Sequence, residues 1–228
     1  MISKITNVSK EYKTKRGIIH ALNGVSFDIN DKDFISIVGP SGSGKTTLLS
    51  IIGCLIHPSS GEVYFDNNRI TQATDIDLCK LRGEHIGFIF QFTYLISHLN
   101  VLENVLLPFY VLGRMVTDEL KKDAIRLLSM LEMDDRLDFF PRELSGGEIQ
   151  KTAIARSLIH RPKLILADEP TGDLDYKISL KIFNFFKEIN NQGITIVVVT
   201  HSPELAGFAK NIYEMEKGYI KSYKDILH

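Results

Sequence analysis

The sequence predicts an α/β fold built on a mostly parallel sheet, and three observations carry that expectation. Residues 163–169 form a near-continuous apolar run ending in two carboxylates, and so apolar a strand is buried on both faces, as in parallel sheets. Phe34–Val38 is a second buried run that passes through a glycine-rich turn into a helical stretch, Lys45–Ile52. Across residues 101–160 the apolar spacing becomes helical, so the chain carries a helical section beside its sheet.

In chain order, residues 2–9 and 24–29 alternate apolar and polar side chains, the pattern of half-buried strands. Between them Tyr12 stands in a polar, charged stretch, 10–16, where it is either plain surface or an aromatic that stacks on a flat base. The turn after Phe34–Val38 reads Gly39-Pro40-Ser41-Gly42-Ser43-Gly44-Lys45-Thr46 and fits G-x-x-x-x-G-K-[ST]. Its residue types answer to phosphate. Glycines let the backbone curl so that successive N–H groups point at anionic oxygens, Lys45 adds a mobile positive charge, and the Thr46 hydroxyl is a ligand for Mg²⁺. The phosphates then meet a helix N-terminus, where open N–H groups and the macrodipole favour negative charge. Binding of a nucleoside triphosphate follows.

Residues 61–65 read as a short strand and 75–83 as a short helix. Ile86–Phe90 is a buried strand ending at Gln91, a polar residue at the edge where parallel sheets build their sites. Leu120, Ala124, Leu127, Leu128 and Leu131 recur at helical spacing and predict core packing. Leu144-Ser145-Gly146-Gly147-Glu148 opens a further helix with bare N–H groups and a small hydroxyl; alone, that start fits a plain cap as well as an anion site. At the end of 163–169, one carboxylate (Asp168 or Glu169) can hold Mg²⁺ while the other orients the water attacking the terminal phosphate. Ile178, Ile182, Phe185, Phe186 and Ile189 form the inner face of the next helix. A buried strand over 194–200 brings His201 to the same edge, within reach of that phosphate. Residues 211–223 read as a strand, a turn at Lys217-Gly218 and another strand.

Composition narrows the function. The 228 residues are 44% hydrophobic and 24% charged, the balance of a globular domain with a substantial core. With 27 basic and 28 acidic residues the net charge is −1, which gives no electrostatic basis for nucleic-acid binding. Cys54 and Cys79 lie far apart and the seven histidines form no H-E-x-x-H pattern, so no transition-metal site is expected. No run approaches the ~18 apolar residues of a membrane span. Lys4 and Lys10 precede no signal-peptide core, so the chain is expected to be cytoplasmic and to reach the membrane only through a partner.

Together these motifs resemble the ATP-binding subunit of an ABC transporter, over essentially the whole chain. The phosphate loop, Gln91, 144–148, Asp168-Glu169, Asp175 and His201 stand in that family's order and spacing. Glu103-Asn104-Val105 with Pro108, Pro170-Thr171-Gly172-Asp173-Leu174-Asp175 and Val199-Thr200-His201 are similar to its lipoprotein-release and macrolide-export branch, the LolD/MacB type. The resemblance implies a single ABC ATPase domain with the P-loop NTPase fold: a RecA-like, mostly parallel sheet core, an antiparallel β subdomain and an inserted helical subdomain. Residues 1–91 and 161–228 would be the nucleotide-binding core with its β subdomain, and 92–160 the helical signature lobe.

The resemblance also implies roles. Tyr12 stacks on adenine, which settles the choice left open above. Residues 39–46, with Thr47, bind the phosphates of ATP. Thr46, Gln91 and Asp168 surround Mg²⁺, Glu169 polarises the attacking water, His201 contacts the γ-phosphate, and Lys45 and Gln91 complete the catalytic set. Ser145, Gly146, Gly147 and Glu148 serve the nucleotide of a second, head-to-tail copy in an ATP-bound homodimer, with Asp175 at the seam. The implied activity is ATP hydrolysis that drives a separate transmembrane permease, of export type, from the inner face of the cell membrane. The alternative within the family is a non-transport ATPase that transmits force to, or regulates, a membrane complex, as in cell division.

Several positions depart from the branch. Phe92 replaces a second Gln, Ile149 and Lys151 replace Gln and Arg, Asp173 replaces Asn and Ser202 replaces Asp; none removes a group that touches phosphate. A chromosome-organising ATPase would need a long heptad run between Thr46 and Ser145, and a GTPase an Asn-Lys-x-Asp motif; neither is present. Phe92-Thr93-Tyr94-Leu95-Ile96 is apolar where a loop is ordinarily polar. Leu95 is expected in the core beneath the helical section. Phe92 and Tyr94, two apart, are expected to share one face of an extended loop and to line a groove receiving a cytoplasmic helix of the permease.

Overall fold

The computed structural model describes residues 1–15 and 17–225; Arg16, the end of the charged stretch noted above, and residues 226–228 lie outside it. Two sheets form. In the first, β1 (Ser3–Thr14) pairs antiparallel with β2 (Gly17–Ile29) on one side and β4 (Ser60–Phe65) on the other, and β4 carries the two-residue β5 (Asn68–Arg69). The β1–β2 hairpin outruns the alternation in the sequence. Its strands continue through the polar stretch, with Tyr12 opposite Ile19 and Glu11 opposite His20, because main-chain pairing makes no demand that the side chains be apolar.

The second sheet contains β3 (Phe34–Val38), β6 (Ile86–Phe90), β7 (Leu164–Asp168), β8 (Thr195–Val199), β9 (Asn211–Glu216) and β10 (Tyr219–Asp225), in the order β10-β9-β3-β8-β7-β6. All neighbours are parallel except β9 and β10, whose antiparallel hairpin turns at Lys217-Gly218. Both faces of this sheet are covered, which is why its strands lack alternation. Leu164 and Leu166 join Val197, Val199, Ile35 and Ile37 in a core shared with the first sheet and with Leu48, Ile51 and Ile52 of α1 (Lys45–Ile52). Ile165 and Ala167 face the other way, into a core with Phe183 and Phe186 of α6 (Tyr176–Asn191) and the helical section. Leu166→Ala would leave a cavity in the first core and cost about 2–5 kcal/mol.

The helical section comprises α3 (Val101–Val111), α4 (Asp118–Met130) and α5 (Gly146–Leu158), while α2 (Asp75–His85) precedes β6 and runs two residues past the expected end. Local chemistry starts each of the three. The Asn100 side chain accepts from the Glu103 N–H while the Glu103 carboxylate accepts from the Asn100 N–H, and Thr117 caps α4. A short α7 (Pro203–Ala206) went unread in the sequence. No helix among the described residues is long and apolar enough to cross a membrane.

The sheet order decides the site. Because β3, β8, β7 and β6 are parallel neighbours, the segments leaving their C-terminal ends meet at one edge: the phosphate loop, His201, Glu169 and Gln91.

Candidate active site

The phosphate loop joins β3 to α1 under close constraint. Gly39 has φ 147°, and a Cβ there would lie 2.1 Å from the Met215 carbonyl oxygen of β9. Gly44 has φ 103°, and its Cβ would lie 2.4 Å from the Ala21 oxygen of β2. Only glycine fits either place. Lys45 is buried, and its Nζ donates to the carbonyl oxygens of Gly39 at 2.8 Å and Pro40 at 2.9 Å, so the charge is held over the loop's own backbone. The helix that follows begins with no side-chain cap and no acidic residue in its first turn. Its leading N–H groups are an anion site.

Around the loop lies a cleft of about 600 Å³ whose wall includes Tyr12, Ser41, Gly42, Ser43, Thr46, Thr47, Gln91, Asp168, Glu169 and His201. Pro40, grouped with the phosphate binders on sequence, is not on that wall; its carbonyl ties down Lys45 and the Ser43 N–H instead. Ile19, His20 and Ala21 of β2 line the cleft and were missed. Only the β1–β2 register, which sets Ile19 opposite Tyr12, brings them there. Tyr12 is partly exposed, with Lys10 Nζ 5.3 Å from its ring centre.

Asp168, at the tip of β7, is hydrogen-bonded to Thr46, yet its Oδ1 is buried without a partner. Burial pushes its carboxyl above the usual carboxylate range; the Thr46 bond opposes this, Glu169 adds to it and Lys45 opposes it. A hydroxyl beside an unsatisfied carboxylate oxygen is a hard-oxygen set that fits Mg²⁺. Among the described residues no three His, Cys, Asp or Glu side chains converge, so an ion there would take its remaining ligands from water, an amide or phosphate.

Glu169 lies just past the strand rather than within it. Its φ is 46°, its N–H donates to the Val199 oxygen of β8 at 3.0 Å, and its Oε2 is 2.9 Å from His201 Nδ1. The strained turn aims the carboxylate across to the neighbouring strand's end. Gln91 is exposed on the same wall, and its Nε2 donates to Asp173 Oδ2 at 3.3 Å.

Residues 145–148 are not in this cleft. Ser145 caps α5: its Oγ accepts from the Glu148 N–H, while the Glu148 carboxylate accepts from the Ser145 N–H and hydroxyl, each at 2.8 Å, and from Arg136 Nε at 2.8 Å. The two Ser145 bonds, then Arg136, hold the Glu148 carboxyl down to a pKa of about 2. Gly146 borders a separate cleft of about 180 Å³ with Gln91, Phe92 and Asp173, and Gly147 packs against Ile178 of α6. Asp175 caps α6, its Oδ1 accepting from the Ile178 N–H at 2.9 Å.

The expectation for residues 92–96 needs correction. Phe92 and Tyr94 are 68% and 70% exposed but do not share a face. Arg156 of α5 donates to the Thr93 and Tyr94 carbonyls, Tyr94 takes φ 47°, and the segment turns instead of extending. Tyr94 consequently packs edge-on against Phe90 in an apolar groove of about 460 Å³ with Phe88, Leu107 and Val111, whereas Phe92 borders the small cleft. Leu95 is half-buried and belongs to neither core. Its neighbours are held by the buried Asn104, whose amide donates to the carbonyls of Ile96, Leu99 and Asn100.

A glycine loop, lysine and uncapped helix at the edge of a covered parallel sheet define a phosphate-loop nucleotide-binding protein. The chain belongs to the ABC transporter family, whose profile matches residues 22–172. It is 46% identical over 222 residues to the ABC transporter ATP-binding protein MJ0796 of Methanocaldococcus jannaschii, covering 96% of this chain and 94% of that one. It is 42% identical over 217 residues to the ABC transporter ATP-binding protein YknY of Bacillus subtilis, covering 95% and 94%. Against the macrolide export ATP-binding/permease protein MacB of Campylobacter jejuni it is 46% identical over 201 residues, spanning 88% of this chain but 31% of that protein. Among solved structures, the dimeric structure of MJ0796 superposes with a TM-score of 0.93 at 43% identity over all of both chains. A dimeric post-hydrolysis state of MJ0796 bound to ADP and Pi gives 0.93 at 42%, again over all of both chains. The molecule is thus an ABC ATPase of the LolD/MacB branch, with the parallel core, antiparallel sheet and helical section that the resemblance implied.

Proposed function

We propose that this ATPase drives a separate transmembrane permease, in the direction of export, by closing head-to-tail in pairs around two ATP molecules. One observation carries the pairing. None of residues 145–148 lines the cleft around the phosphate loop, and Gly146 borders only the small neighbouring cleft that shares Gln91 and Glu169 with it, so a signature facing ATP would come from a second copy. The dimeric MJ0796 structure supports this reading, and the MacB relative, which joins ATP-binding and permease parts in one protein, supports a membrane partner. The chain would then work on the cytoplasmic face of the membrane, held there by the permease.

In this reading adenine stacks on Tyr12, and the phosphates take the N–H groups of Gly42 and residues 44–47, while that of Ser43 stays on the Pro40 carbonyl. Lys45 trades its two carbonyls for β- and γ-phosphate oxygens. Thr46, Asp168 and Gln91 would hold Mg²⁺, which would supply positive charge to neutralise the phosphates. Glu169 accepts a hydrogen bond from the attacking water. The water oxygen bonds to the γ-phosphorus as the bridging oxygen leaves with ADP, and positioning with charge neutralisation does most of the work. His201, bonded to Glu169, fixes that carboxylate and reaches the γ-phosphate with its other nitrogen.

The test is Glu169→Gln, which keeps the side chain's shape but polarises water poorly. With MgATP it should elute as a dimer on sizing and hydrolyse nothing. A variant that binds ATP and stays monomeric at high concentration would sink the shared-site reading.

A further inference from the structure

Gln91 borders two clefts at once, the nucleotide cleft with Thr46 and Asp168 and the smaller one with Gly146 and Asp173. Its terminal amide has two ends of nearly equal size and opposite chemistry: Oε1 accepts and can ligate a hard cation, whereas Nε2 donates and cannot. A 180° turn about the last bond swaps them. The neighbour decides which end faces which cleft.

That neighbour is a carboxylate. Nε2 donates to Asp173 Oδ2 at 3.3 Å, and a carboxylate only accepts, so the turned amide would set oxygen against oxygen. The loop is shaped around this contact. A Cβ on Gly172 would come within 3.3 Å of Gln91 Nε2, tighter than side chains ordinarily tolerate, so the glycine leaves the amide its room. The loop is also tied to the water-polarising residue, since the Gly172 N–H donates to the Glu169 carbonyl at 3.1 Å. An asparagine at 173, being donor and acceptor, would instead accept either orientation of Gln91.

We infer that Asp173 is a positioning residue: it holds the Gln91 amide by its nitrogen and so presents Oε1 to the nucleotide's Mg²⁺. This rests on the proposal above that Gln91 is a ligand of that ion.

The test measures binding, not turnover. ATP affinity is measured calorimetrically with Mg²⁺ and again in EDTA, in the Glu169→Gln background so that nothing is hydrolysed, and the ratio of the two affinities is compared. Gln91→Ala should lower the ratio. Asp173→Ala should lower it about threefold to tenfold, the worth of one polar contact, and leave the EDTA affinity unchanged. Asp173→Glu, which restores an acceptor, should recover part of the loss. In the Gln91→Ala background Asp173→Ala should do nothing more. Equal effects of Asp173→Ala with and without Gln91 would overturn the positioning role while keeping Gln91 as a ligand. If Gln91→Ala leaves the ratio untouched, the ligand reading and this inference both fall.

Discussion

Lys45 is kept in place by two carbonyl oxygens of its own loop, and its charge favours the ionised form of the buried Asp168. In the proposed site the phosphates would replace those two bonds, so Lys45→Ala should lose ligand contacts. Calorimetry with MgATP should show affinity down roughly 100-fold, the loss of one to two charge-assisted hydrogen bonds. Glu148 supplies a pH effect. Its folded pKa is depressed from 4.5 to about 2, so its contribution to stability is complete above pH 4.5 and is lost as pH falls toward 2. Stability followed by circular dichroism should therefore fall more steeply between pH 4.5 and 2 in wild type than in Glu148→Gln, which lacks the titrating group. The phosphate loop and the Asp168-Glu169 pair stood out in the sequence because their chemistry is written in consecutive residues, and His201 because a buried strand ends just before it, on the cleft wall it shares with them. The Gln91–Asp173 contact did not, since 82 positions separate its ends and only the β6–β7 pairing brings them together.

Elements explain where the sequence misleads. Strands β3, β6, β7 and β8 match their expected extents closely because two covered faces make the runs almost continuously apolar, the buried Ser36 being an interior exception. The β1–β2 hairpin was underestimated because its outer half is held by backbone pairing and polar side-chain contacts, such as His20 with Glu11, which leave no apolar alternation to read. Tyr94 and Phe92 were read as one face because spacing assumes an extended chain, and Arg156 bends it. That correction sharpens the docking proposal. Tyr94→Asp, inside the apolar groove, should leave ATP binding intact and weaken co-purification with the permease at least tenfold, as expected for losing one buried aromatic of about 1.5–3 kcal/mol. Phe92→Asp, outside that groove, should retain capture. The reverse result would return the interface to Phe92. At the start of α5, Ser145→Ala should cost about 1 kcal/mol in urea unfolding through loss of its cap. Ser145→Arg, added to Glu169→Gln, should abolish the ATP-trapped dimer on sizing by placing bulk and charge at the seam.

At the scale of the molecule, the covered sheet is a stiff platform and its C-terminal edge is left for polar work. The uncapped start of α1 belongs to that edge. Each of the other α-helices has a side chain that bonds its first turn, whereas α1 waits for one from outside. ATP is in this sense the missing cap, and its occupancy enters the folding equilibrium directly. At a hundred times its dissociation constant a ligand adds about 2.7 kcal/mol of stability. Amide exchange over residues 42–48 should slow in step with nucleotide concentration, and Lys45→Ala should move that dependence to roughly 100-fold higher concentration. If ATP sits at this proposed site, its departure returns the leading N–H groups of α1 to water, and the first turn becomes the part of the platform's edge where order depends on supply.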